Sequence, residues 1–308
     1  MATTKPVRIK SISEYHRILG LPKPQHPLIS IINFDKLEHN PVSSPVNVYF
    51  DFYSITLKRM KGIKYKYGQV HYDFEDDGIL FFMAPRQILK LEIVDQAKIV
   101  KRTGWMLLIH PDFIWDTPLA KGIKKYEFFD YSVNEALFLS EKEEKTLNGI
   151  VKNIEQEYQA NMDNYSQSII VSHIDTLLTY SDRFYHRQFL TRKKTNHQVL
   201  DSLEKLLTDY FNNDDQLAKG LPSVHYLSDN LNISASYLSR LLKVLTGQTT
   251  QQHIHNKLIE KAKEKLSTTE LTISEIAYGL GFEHSQAFSR LFKSKTSQSP
   301  LAFRQSFN

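Results

Sequence analysis

Within its last eighty or so residues this chain writes one pattern twice, and an internal repeat constrains architecture more tightly than any single motif does. Leu227 to Lys243 reads LSDNLNISASYLSRLLK, and Ile276 to Lys293 reads IAYGLGFEHSQAFSRLFK. Setting Leu231 on Leu280 and Ile233 on Phe282, with one extra residue after the turn in the second copy, brings Ser239-Arg240-Leu241-Leu242-Lys243 onto Ser289-Arg290-Leu291-Phe292-Lys293. Each copy reads as a short helix, a tight connection and a second helix.

Helical periodicity fixes what that second helix shows to solvent. In the first copy Leu238, Leu241, Leu242 and Leu245 recur at three-and-four spacing, which is a buried stripe, and Ser236, Ser239, Arg240 and Lys243 lie opposite. In the second copy Phe288, Leu291 and Phe292 form the stripe, and Gln286, Ser289, Arg290 and Lys293 take the same angular positions opposite. Arginine and glutamine make bidentate hydrogen bonds to purine edges, serine donates or accepts, and lysine suits phosphate, so both faces hold what a major-groove reader needs. A solvated polar face has no reason to keep an arginine and a lysine three apart in two copies.

Between the copies, Thr250 to Leu266 carries Ile254, Leu258, Ala262 and Leu266 at four-residue spacing without Pro or Gly, and reads as one helix. Seventeen residues of helix span about 25 Å, and successive major-groove faces of a duplex lie about 34 Å apart. A strut of that length plus the half-widths of two packed subdomains holds two reading helices about one DNA turn apart.

The stretch from Ile276-Ala277 to Gly281-Phe282, then Phe288, Arg290, Phe292 and Lys293, then Ser299-Pro300 and Phe303-Arg304, resembles the signature of the AraC/XylS-type bacterial transcription regulators, as does Glu260 to Lys263 on the connecting helix. The resemblance covers about Ser223 to Phe307. It implies contacts to adjacent major grooves of promoter DNA from Ser236, Tyr237, Ser239 and Arg240 on the first reading helix, and from Ser285, Gln286, Ser289 and Arg290 on the second. Lys243 and Lys293 complete the two faces on the residue reading above. Two departures stand out. The glycine that commonly follows the second reading helix is Ser297, whereas the first copy keeps Gly247. The first helix is also rich in serine, and some of its contacts are expected to reach phosphate alone.

Charge follows the repeat. Of a net +5, residues 221–308 hold ten Lys and Arg against six Asp and Glu, residues 191–220 balance at five against five, and the other 190 contribute +1. Excess positive charge placed on one domain suits approach to a polyanion. The chain has no cysteine, which excludes disulfides, thiolate metal sites and thiol chemistry, including an alkyl-transfer repair enzyme fused to this type of domain. No apolar run reaches the length of a membrane span or a signal core, so a cytoplasmic protein that does not engage membranes is expected.

At 308 residues two domains are expected, an α+β arrangement divided at 1–190, a polar linker at 191–196, and 197–308. The first is expected to hold strands at Leu28 to Phe34, Val46 to Leu57, Ile63 to Tyr67, Gln69 to Phe74, Ile79 to Met83, Ile88 to Ile93 and Gly104 to Ile109, in an antiparallel sandwich or barrel. In regulators of the resembled family this position is usually held by a cupin-like β-domain that senses a small molecule, oligomerises, or both. Helical stripes follow at Glu141 to Gln159 and Ser166 to Tyr185. One packs on the sheet, and the other serves either a homodimer or a helical hairpin within the chain. A further helix, Gln198 to Phe211, opens the second domain.

Two features of the first domain carry competing readings. His71, Asp73 and Glu75 share one face of a candidate strand at a spacing that suits a metal, yet alternating Val70, Tyr72 and Phe74 explain the same residues as the wet side of a strand. Trp105, Trp115 and the aromatic residues between 49 and 82 either line an apolar pocket or fill the core. His253 and His255 lie about 200° apart on a helix and cannot share one ion. No nucleophile elbow or phosphate-cradling glycine loop occurs. The chain is therefore read as a non-enzymatic, sequence-specific regulator without a cofactor, its partners being promoter DNA, RNA polymerase if it activates, and an effector or second copy through the first domain. A metal enzyme with a DNA-binding appendage, and a sequence-indifferent architectural DNA binder, are the alternatives.

Overall fold

The computed structural model describes residues 6–37, 46–60, 65–67, 70–72, 78–91, 102–131, 135–160, 163–191, 193–217 and 219–306. Two compact units divide at Gln188 and Phe189.

In the first unit, β1 (Val7–Ile9) leads into α1 (Ile12–Ile18), whose start is fixed by Ser11 accepting the Glu14 amide. Strands β2 (Ile29–Asn33), β3 (Val46–Phe50), β4 (Tyr53–Met60), β5 (Tyr65–Tyr67), β6 (Val70–Tyr72), β7 (Gly78–Met83), β8 (Ile88–Leu91) and β9 (Arg102–Ile109) follow. Two short helices, α2 (Pro111–Ile114) and α3 (Pro118–Gly122), precede β10 (Leu137–Leu139). The strands form a five-stranded sheet ordered β10-β7-β4-β9-β2, a three-stranded sheet β1-β3-β8 and the hairpin β5-β6. Most pairings are antiparallel, as expected, but β1 pairs parallel with β3. Of the expected sandwich or barrel, the barrel is not formed among the described residues: the sheets do not close, and the larger one ends at β10 and β2. The expected strand across Val46 to Leu57 is two strands, because Asp51 and Phe52 bend away between β3 and β4.

The helical stripes are covered within the chain. Helix α4 (Glu141–Gln159) begins with a reciprocal capping box of Ser140 and Glu143 and buries Leu147, Ile150, Val151, Ile154 and Tyr158. Its Asn148 accepts the indole N–H of buried Trp105 at 2.8 Å, and its buried Glu144 takes Arg59 of β4 at 2.8 Å. Helix α5 (Ser166–Thr191) stacks Tyr185 on Phe128, and its Gln188 accepts the Phe138 amide and donates to the Ala136 carbonyl. Arg187 of the same helix donates to the Phe138 carbonyl at 2.8 Å, so both backbone polar groups of Phe138 on the edge strand β10 are taken by α5 side chains. The stripe residues Ile170, Ile174, Leu177, Leu178 and Phe184 of α5 are likewise buried within the chain.

Trp105 is core, whereas Trp115 is 74% exposed, so the two tryptophans do not share a pocket wall. His71 lies in β6, paired in register with Lys66, while Asp73 and Glu75 lie outside the described residues. Among the described residues no three His, Cys, Asp or Glu side chains gather as metal ligands, and no helix is long and apolar enough to cross a membrane.

The second unit is helical. The expected linker at 191–196 is helix on both sides of residue 192: α5 ends at Thr191 and α6 (Lys193–Phe211) begins two residues later. Polarity alone suggests a loop, but Asn196 is buried and donates to the Phe189 carbonyl, which anchors the start of α6. Then come α7 (Asp214–Leu217), α8 (Val224–Leu231), α9 (Ala235–Thr246), α10 (Thr250–Thr268), α11 (Ile273–Gly279), α12 (Ser285–Thr296) and α13 (Pro300–Gln305). One core joins them, from Leu203 and Leu207 of α6 through Leu238 and Leu242 of α9, Ile254 and Leu258 of α10, and Phe288 and Phe292 of α12.

Candidate nucleic-acid interface

Each copy of the repeat is a helix-turn-helix whose connection needs one left-handed residue. In the first copy it is Asn232, at φ 55°, and in the second Gly281, at φ 85°. Asparagine tolerates this region because its short polar side chain bonds locally, and glycine enters it freely. Gly281 is required for a second reason: a Cβ there would lie 2.9 Å from the Leu217 carbonyl oxygen and 3.0 Å from the Gly220 carbonyl carbon. The turn of the second copy thus touches the backbone after α7, and no side chain fits between.

The start of each reading helix is set differently. Ser234 caps α9 by accepting the Tyr237 amide at 3.1 Å, whereas His284 precedes α12 without a side-chain cap bond. Their ends agree. Gly247 and Ser297 both adopt the left-handed conformation, at φ 72° and 62°, and both donate their amide to a lysine carbonyl one turn back, Lys243 and Lys293. Serine at 297 therefore does not change the turn; it holds the conformation against a steric penalty of about 1 kcal/mol or more.

The repeat also extends past the reading helices, beyond the stretch aligned above. Thr246 and Thr296 each bond back to the carbonyl four residues before, Leu242 and Phe292, and each accepts the amide of the glutamine two residues on, Gln248 and Gln298. Thr249 then caps α10 and Ser299 caps α13. The signal in the sequence is Thr-Gly-Gln-Thr-Thr against Thr-Ser-Gln-Ser-Pro, at a constant spacing of fifty.

The two reading faces differ in exposure. On α12, Gln286, Arg290 and Lys293 are exposed, Ser285 and Ser289 are half-buried, and the Arg290 Nε lies 3.4 Å from the Gln286 carbonyl oxygen. One face therefore presents an amide, a guanidinium and an ammonium to solvent. On α9, Lys243 is exposed, but Ser236, Tyr237, Ser239 and Arg240 are half-buried. Ser239 turns to the start of α10, where its hydroxyl meets that of buried Thr250 at 3.2 Å, and the Tyr237 ring packs against Phe189. Of the sequence-expected contacts, the second set presents an open polar face and the first is held at both edges. The Phe189 contact gives no sequence signal, since its partner lies 48 residues away.

The strut between the copies is α10, nineteen residues and so about 28 Å long. Its start is closed by a capping box of Thr249 and Gln252. Lys257 pairs with Glu260 and Lys261 with Glu264 along its exposed side, so part of its positive charge is answered locally. Burial holds the imidazoles of His253 and His255 below the ordinary histidine range; Glu204 opposes this at His253, and Lys295 reinforces it at His255. The His253 Nε2 lies 3.0 Å from the Thr246 hydroxyl and that of His255 lies 3.0 Å from the Gln251 side-chain nitrogen, so each has a separate local partner and they form no pair.

Comparison with known proteins agrees with this geometry. A family model described as a helix-turn-helix domain matches residues 227–306. The uncharacterized HTH-type transcriptional regulator YfiF of Bacillus subtilis (strain 168) is 29% identical over 143 residues, 46% of this chain and 42% of its own. The HTH-type transcriptional activator RhaS of Escherichia coli (strain K12 / DH10B) is 35% identical over 79 residues, 26% of this chain and 28% of its own. The match thus spans less than half the length of these curated relatives. Among solved structures, the C-terminal domain of the two-component response regulator yesN from Fusobacterium nucleatum subsp. nucleatum ATCC 25586 is 32% identical, covering 33% of this chain and 96% of that one at a TM-score of 0.29. Residues 227–306 of this chain form a helix-turn-helix domain.

Proposed function

We propose that the chain is a sequence-specific transcription regulator that reads promoter DNA with α9 and α12 in adjacent major grooves. The observation that carries this reading is the exposed Gln286-Arg290-Lys293 face, repeated as Ser236-Arg240-Lys243 on α9 across a single helical strut. Arg290 and Gln286 are assigned to base edges, Arg240 to a base edge of the other block, Lys243 and Lys293 to phosphate, and Ser236, Tyr237, Ser239, Ser285 and Ser289 to supporting contacts. Nothing in these roles needs a cofactor. The first unit is assigned to control, as a cupin-like sensor or dimerising domain in the cytoplasm, and RNA polymerase is the further partner if the chain activates transcription.

Selection of bound duplexes from a random library by the full chain, near physiological salt, tests the reading. Two short blocks centred about one helical turn, roughly 10 base pairs, apart are expected. Binding that merely weakens with salt and enriches no motif would instead assign a sequence-indifferent binder.

A further inference from the structure

The first reading helix carries a contact that its repeat lacks. Phe189, fully buried two residues before the end of Ser166–Thr191, sets its ring edge-on to Tyr237, with centroids 5.1 Å apart and planes at 68°. The position of Phe189 is fixed in turn by buried Asn196, whose side chain donates to the Phe189 carbonyl. On α9, Tyr237 lies about 100° round from Ser236, on the flank between the reading face and the core stripe. One turn on, the same flank carries Leu241, which is fully buried. In the second copy the residue fifty positions later is Ala287, a methyl group with no ring to receive a partner, and the adjoining Leu291 packs in the core of the domain.

The flank matters because of the size of the groove. A helix with its side chains is about 10–12 Å across and the major groove is about 12 Å wide, so an inserted reading helix fills it from wall to wall. The N-terminal residues of a reading helix approach base edges most closely, and Tyr237 is the third residue of α9. A ring and the helix end that bears it, seated on that flank, would stand in the path of the sugar-phosphate wall of a groove that took in α9.

We propose that Phe189 is a latch on the first reading helix: while it packs on Tyr237, α9 is excluded from the major groove and α12 reads alone, and the full chain engages both blocks only in the fraction of molecules whose latch is open. The inference rests on the reading of α9 and α12 as DNA-binding helices. Because Phe189 lies in the helix that begins at Ser166, a displacement of that helix end is what releases the latch.

The test uses footprints of the full chain on the selected two-block duplex. Phe189→Ala is expected to raise protection of the α9 block to the level of the α12 block and to raise affinity about three- to tenfold, the weight of one edge-to-face aromatic pair. Unchanged or weaker binding by a variant that melts like the wild type would overturn the latch and make the contact a support for α9. If Phe189→Ala does not fold, a second variant decides. The chain has no cysteine of its own, so Phe189→Cys with Tyr237→Cys can be joined by a short bis-maleimide and compared with the same protein unjoined. Joining is expected to abolish protection of the α9 block alone; equal protection of both blocks after joining would overturn the proposal. Arg290→Ala on the same duplex separates the two ideas, since loss of the α12 block confirms the DNA reading whatever happens to the latch, and an unaltered α12 block would sink that reading.

Discussion

The two helix-turn-helix copies solve the same backbone problem with the residues exchanged. At the turn, the first copy uses Asn232 and the second Gly281; after the reading helix, the first uses Gly247 and the second Ser297. All four sit in the left-handed region, so the backbone demand is common and each side chain answers it according to its surroundings. Glycine is obligatory only where something else touches the backbone, at Gly281 against Leu217 and Gly220. The functional faces diverge too. The α12 face is open, while α9 is held at Ser239 by Thr250 and at Tyr237 by Phe189. Similar sequence on the two polar faces therefore does not mean equal exposure.

The largest effect that sharpens this comparison is at the turns. Gly281→Ala is expected to destabilise the chain by about 3 kcal/mol, combining left-handed strain with a backbone collision, whereas Asn232→Ala should lose only about 1 kcal/mol. Urea denaturation of both variants measures the difference, and equal losses would mean that the two turns are equally crowded. At the reading faces, Arg290→Ala should weaken binding to the selected duplex by about 1–3 kcal/mol and relax base preference in one block. Arg240→Ala should have the smaller effect, since its helix face is partly covered; a larger loss at Arg240 would reverse the ranking of the two copies. The smallest effect is at the helix ends: Ser297→Gly should stabilise by about 0.5–1 kcal/mol by relieving strain, net of glycine's added freedom in the unfolded chain. Gly247→Ser should lose a similar amount, and thermal melts of the pair would show it.

Long amphipathic helices are legible in the amino-acid sequence because one buried face repeats over several turns. The strut expected at Thr250 to Leu266 lies within α10, which runs two residues further to Thr268, with every stripe residue buried, and Glu141 to Gln159 is α4 residue for residue. Short elements are not legible in this way: β1, α1 and β10 are each seven residues or fewer, too brief for a period to establish itself. The polar stretch at 191–196 reads as a linker although it is largely helix, because a buried asparagine with a backbone partner looks, in sequence, like an exposed one. Strand spacing leaves a sandwich and a barrel both open, and among the described residues the sheets are separate and unclosed, since strand spacing does not specify which edges meet.

For this protein the sequence by itself determined the repeat, the second helix of each copy and the residue types on its polar face, because local periodicity and side-chain chemistry act over a few turns of chain. Only the tertiary structure decided which of those residues face solvent. Ser239 and Tyr237 are turned from equal members of a polar face into held ones by Thr250 and Phe189, eleven and 48 residues away. Local periodicity marks which face of a helix turns outward, but which residues of that face stay open is a property of packing between distant segments.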